Sequence, residues 1–88
     1  MNESSGERPT LPGDIVRLDL RGLKCPLPAL HTGRALERAT PGTRLRVECT
    51  DPMAVIDIPH LVHQTGHVLE AQETATLPLV FHIRKAGP

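Results

Sequence analysis

The 88-residue sequence predicts an α/β fold: a two-layer sandwich in the order β-α-β-α-β-β, with a mixed four-stranded sheet and both helices on one face. Three observations lead there. Apolar and polar residues alternate with period two over residues 15–20 and 44–49, and again near the C-terminus. Two stretches of helical spacing lie between these runs. Pro41-Gly42, Asp51-Pro52 and Gly66 punctuate the chain where one element must give way to the next.

Residues 1–12 are rich in Ser, Gly, Pro, Glu and Thr and are expected to form a disordered tail. Residues 13–88 are then one domain, since a chain this short supports a single core. In the first strand Val16, Leu18 and Leu20 alternate with Arg17 and Asp19, which gives one buried face. A helix follows with a loose apolar stripe of Leu27, Leu30, Ala35, Leu36 and Ala39, and Pro41-Gly42 ends it. Gly33 weakens that helix by about 1 kcal/mol relative to Ala. In the second strand Leu45, Val47 and Cys49 alternate with Arg44, Arg46 and Glu48. Asp51-Pro52 begins a turn, and Asp57 is placed to cap a second helix with Ile58, Leu61, Val62 and Thr65 on one face. Pro59 falls in the first turn of that helix, where a missing N–H does no harm, and Gly66 is its stop. Residues 68–74 and 77–85 make the last two strands, close enough for a hairpin, with Leu79, Phe81 and Ile83 inward.

Composition excludes several functions. Phe81 is the single aromatic residue, so there is no platform on which unpaired bases could stack. Ten basic and ten acidic residues cancel, whereas a protein that binds nucleic acid by itself neutralises phosphates with a basic excess. No direct sequence-specific nucleic-acid binding is expected, and any RNA contact would be transient or arranged by a partner. No apolar run approaches the ~20 residues that span a bilayer. The first 13 residues lack the basic start and apolar core of a signal peptide, so a soluble cytoplasmic protein with no membrane contact is expected. The two cysteines form no Cys-x-x-Cys and no paired metal motif, and in a reducing compartment both are free thiols.

The informative segment is Arg21-Gly22-Leu23-Lys24-Cys25-Pro26-Leu27-Pro28, where the first strand hands over to the first helix. With Cys25 as N-cap, Pro26 is N1 and Pro28 is N3, positions whose N–H groups have no helical partner. Both prolines lack a donor, so Leu27 supplies the one early N–H within capping reach of the sulfur, with Ala29 behind it. The helix dipole favours an anion there by ~0.3–1 kcal/mol, which lowers a thiol pKa by about 0.2–0.7 units. Arg21 and Lys24 would add to the effect. The expectation is an accessible, mildly activated thiolate rather than a buried structural cysteine.

The same residues carry a resemblance. Leu18-Asp19, Gly22-Leu23-x-Cys25-Pro26-x-Pro28, Pro41-Gly42, Asp51-Pro52, Asp57-Ile58-Pro59, Gly66-His67 and Phe81-x-Ile83-Arg84-Lys85 resemble the TusA/SirA-like sulfur carrier family over nearly everything after the tail. The resemblance implies a sulfurtransferase in which Cys25 holds sulfur as a persulfide, with no cofactor. It implies a cysteine desulfurase or rhodanese as donor and a downstream sulfur-relay protein as acceptor, in a relay best known to end in 2-thiouridine at the tRNA wobble position. Sulfur delivery for dissimilatory sulfur oxidation or molybdenum-cofactor assembly is the alternative within the family. A non-catalytic regulatory interaction module is the alternative outside it. The sequence departs from the family pattern at Leu27, where an acidic residue is common.

Other residues compete for a role. Cys49 shares the parity of Leu45 and Val47 and is expected in the core. A right-handed crossover would make the first two strands parallel and end both at one sheet edge, which leaves a resolving-thiol role open. Asp51, near that edge, either starts the turn with Pro52 or tunes the thiol. His60, His63 and His67 have spacing compatible with a metal, but the apolar face belongs to Ile58, Leu61 and Val62, so no metal site is expected. His31 lies almost two helical turns from Cys25. Arg44, Arg46, Arg84 and Lys85 are expected as solvated strand charges that could help dock an acidic partner.

Overall fold

The computed structural model describes residue 11 and residues 13–87. The expected tail, Leu11 apart, lies outside the described residues. The elements are β1 (Ile15–Leu20), α1 (Leu27–Arg38), β2 (Arg44–Cys49), α2 (Ala54–Gln64), β3 (Val68–Glu73) and β4 (Leu79–Arg84), which is the expected order. The sheet runs β1-β2-β4-β3. β1 is parallel to β2, while β2 with β4 and β3 with β4 are antiparallel, so the sheet is mixed.

Register explains the core. Val16, Leu18 and Leu20 lie beside Leu45, Val47 and Cys49, which in turn lie beside Ile83, Phe81 and Leu79. Period two puts all of these on one face. Leu36 of α1 and Ala54, Ile58 and Val62 of α2 cover that face and complete a single buried cluster. The opposite face is polar. There Glu48 is 5% exposed, and Arg17 (2.8 Å) and Arg46 (3.1 Å) satisfy its carboxylate. The hydrogen bond from Arg17, followed by that from Arg46, pulls Glu48 from an ordinary value of 4.5 to about 2. The register of β3 against β4 shifts between Leu69 and Ala71, and Glu70, which lies between them, accepts from both Arg44 (3.0 Å) and Arg84 (3.1 Å).

Three expectations need correction. The buried face of α1 is Pro28, Thr32 and Leu36, an i, i+4, i+8 row, with Leu27 and Leu30 exposed. A hydroxyl can occupy that row because Thr32 Oγ1 donates to the Pro28 carbonyl at 2.8 Å. Second, α2 begins at Ala54 behind Met53, and Asp57 makes no cap. The turn opened by Asp51 rolls directly into the helix through Ala54 N–H to Asp51 O (3.0 Å) and Val55 N–H to Pro52 O (3.2 Å). Pro59 is consequently inside the helix, not in its first turn. Third, the hairpin strands are shorter than expected, ending at Glu73 and resuming at Leu79, with Leu77 exposed between them. Gly66 does stop α2. At φ +82° it donates to His63 O, and His67 donates to Val62 O, the pair of bonds that closes a helix through a left-handed residue.

The strand arginines and Lys85 are engaged rather than free. Arg44, Arg46 and Arg84 are paired to glutamates, and Lys85 Nζ donates to the Leu36 carbonyl at 2.5 Å, at the C-terminal end of α1. Gly33 sits where α1 meets Leu61 of α2, and an added Cβ would lie 3.7 Å from that side chain, an ordinary contact. Gly33→Ala is therefore expected to stabilise the fold by about 0.5–1 kcal/mol, read as a higher urea midpoint with an unchanged slope.

Candidate functional site

Parallel pairing of β1 and β2 sends both strands out at one end of the sheet, and both helices begin there. The two strand-to-helix loops are stitched together. Gly22, at φ +85°, turns the chain after β1 and donates its N–H to Thr50 Oγ1 at 2.9 Å. Cys25 N–H donates to Asp51 Oδ2 at 2.6 Å. The Cys25 thiol donates to Asp57 Oδ2 at 3.0 Å. Cys25 is exposed, and its peptide bond to Pro26 is cis.

This geometry replaces the expected one. Pro26, not Cys25, occupies the N-cap of α1, and Pro28 is N2. The Leu27 N–H is spent on the Lys24 carbonyl at 2.8 Å, so it is not aimed at the sulfur. Arg21 folds back on Asp19 through two contacts of 2.7 and 2.8 Å and does not serve the thiol. Lys24 is exposed, and the groups that act on the thiol include neither cation. What faces the sulfur is negative. The hydrogen bond to Asp57, then partial desolvation, then the charges of Asp57 and Asp51, push the Cys25 thiol above its ordinary value. The expected activation by the helix dipole is overturned, because a carboxylate at 3.0 Å outweighs half a unit of charge spread over a helix end.

Asp51 fills both roles weighed for it. Its carbonyl starts the turn into α2 and its carboxylate fixes the Cys25 backbone. Cys49 is fully buried, as its parity implied, and burial, followed by Asp51, pushes its thiol up to about 11. Sequence reasoning missed Asp57 as a partner of the thiol. The available signal was the turn at Asp51-Pro52, which can start a helix at once and so put residue 57 in its first turns. His60 and His63 are exposed, and His67 Nδ1 accepts from the Ala86 N–H at 3.1 Å. Among the described residues no cluster of metal-ligating side chains forms, and no helix is long and apolar enough to cross a membrane.

The two thiols predict opposite reactivities. Iodoacetamide should label Cys25 in the native protein and Cys49 only after unfolding, because the thiolate is the nucleophile and access is required. Since Asp57 holds the Cys25 proton, the labelling rate should be below that of a free cysteine at neutral pH and should still be rising above about pH 8.5. A rate that levels off below that point would contradict the hydrogen bond as drawn.

A small α/β sandwich whose loops converge on one exposed, hydrogen-bonded thiol has the makings of a thiol-dependent transfer protein. Comparison with known families narrows that class. The family model described as Sulfurtransferase TusA matches residues 16–85, which takes in every helix and all but the first residue of the sheet. The chain belongs to the TusA sulfurtransferase family, whose role is to carry sulfur in a relay.

Proposed function

We propose that Cys25 is the carrier thiol, that it takes sulfane sulfur as a persulfide, and that the protein works in the cytoplasm without a cofactor. The observation that carries this reading is the contrast between the cysteines. Cys25 is exposed on a loop fixed by Asp51 and Asp57, while Cys49 is sealed in the core. Sulfur enters by nucleophilic exchange from a cysteine desulfurase or rhodanese and leaves to a downstream relay protein, with tRNA 2-thiouridine as the end point.

Two features favour protein partners over direct contact with RNA. Phe81, the one aromatic residue, is fully buried and can stack on nothing. The helix starts that flank Cys25 instead expose Leu27, Leu30, Met53, Val55 and Ile56, a kind of surface suited to a protein interface. The test is to incubate the protein with a cysteine desulfurase and cysteine, then record its intact mass. A gain of one sulfur atom, reversed by a thiol reductant, is expected. No gain with desulfurase or rhodanese donors would remove the reading.

A further inference from the structure

We propose that Asp57 is a catalytic residue of this carrier, the base that takes the Cys25 proton as sulfur is loaded and returns a proton when sulfur is released. The proposal rests on the carrier reading of Cys25. Its geometric ground is direct: the thiol already points its proton at Asp57 Oδ2 across 3.0 Å, within the reach that general-base transfer requires. Asp51, the other carboxylate at the site, is occupied with the Cys25 N–H at 2.6 Å and so holds the residue in place while Asp57 faces the sulfur.

The charges around the sulfur explain why a base is needed. Asp57 from α2 and Asp51 from the loop before it both oppose a preformed thiolate, and Arg21 is held by Asp19. The resting sulfur is therefore a thiol. In the open protein, water could take its proton. Once a donor protein covers Leu27, Met53 and Ile56, water is excluded and Asp57 is the acceptor left in contact.

The exchange balances without an oxidant or reductant. An electron pair on the Cys25 sulfur forms a bond to the outer sulfur of the donor's persulfide. The donor's own S–S bond breaks, and its electron pair stays on the donor's inner sulfur. The proton passes from Cys25 to Asp57 and on to that departing thiolate, the stronger base of the two. Donor persulfide and Cys25 thiol thus become donor thiol and Cys25 persulfide. Release runs the same way with an acceptor thiol as the incoming group: its proton passes to Asp57, its sulfur takes the outer sulfur, and Cys25 leaves and is reprotonated.

Two rates test this on the intact protein. One is single-turnover loading by a saturating cysteine desulfurase already carrying its persulfide, followed by intact mass. The other is alkylation by iodoacetamide, which reports free thiolate. Between about pH 6 and pH 8, wild-type alkylation should rise about tenfold per unit while loading stays within about twofold, because loading draws on Asp57 and not on free thiolate. Asp57→Asn keeps an oxygen acceptor but loses the base. Its alkylation at neutral pH should quicken, its loading should slow by about 100-fold, and the residual loading should acquire the pH slope of alkylation. Wild-type loading that climbs with pH alongside alkylation would overturn the proposal, and so would faster loading by Asp57→Asn. The first of these needs no variant to fold. A wild-type protein that alkylates at Cys25 yet gains no sulfur from the desulfurase would instead remove the carrier reading, and the role of Asp57 with it.

Discussion

Cys25→Ser is expected to take up no sulfur from a persulfide donor, while Cys49→Ala takes it up at nearly the wild-type rate. A serine hydroxyl fits the space of the thiol and can donate to the same Asp57 oxygen, so the loop should keep its shape. It cannot form a persulfide. The loss is therefore of chemistry and not of fold, and a circular-dichroism melt within a few degrees of wild type would show it. Cys49 gives the matched control, since it is fully buried with its thiol pushed up to about 11. If Cys49→Ala lost uptake as completely as Cys25→Ser, the sulfur would have to pass through both thiols, and the single-site account would fail.

Phe81→Ala should have the largest effect on stability. Phe81 is fully buried at the middle of β4, a central strand, between Val47 of β2 and Gln72 of β3 in register. It is also the largest side chain in a core otherwise built from Leu, Ile, Val, Ala and Cys. Truncation to alanine removes the ring and leaves a cavity that two flanking strands, fixed by their hydrogen bonds, can only partly close. The expected cost is about 3–5 kcal/mol, a large part of the roughly 5–15 kcal/mol that holds a domain folded. Urea unfolding followed by circular dichroism reads it as a lower midpoint at constant slope. A loss under about 1 kcal/mol would mean that the core is not packed around this ring.

How much of this was legible in the sequence depended on the range of the interaction. Strand faces were readable because period two is local: Val16, Leu18, Leu20, Leu45, Val47, Cys49, Leu79, Phe81 and Ile83 all face the helices as their parity required. The face of α1 was harder. Hydropathy favoured Leu27 and Leu30, whereas the buried row runs through Pro28 and Thr32, and a threonine reads as core only when its hydroxyl partner is known. At the site, Cys25 stood out by its prolines and its place between strand and helix. Its environment did not. The contact with Asp57 joins residues 32 apart in sequence, and its existence turns on where α2 starts. Reading Asp57 as a cap placed that start four residues late and hid the carboxylate that sets the state of the thiol.

That state does not argue against a carrier. A thiol held protonated in the empty protein is slow to react with stray electrophiles, and a base at hydrogen-bond distance supplies the thiolate when a donor is docked. The most direct test of the account is to locate the sulfur itself. The protein is loaded by a desulfurase, trapped with iodoacetamide, digested and mapped by peptide mass. The account predicts one extra sulfur on the peptide containing Cys25 and none on the peptide containing Cys49. Extra sulfur on Cys49, or on neither peptide, would contradict it.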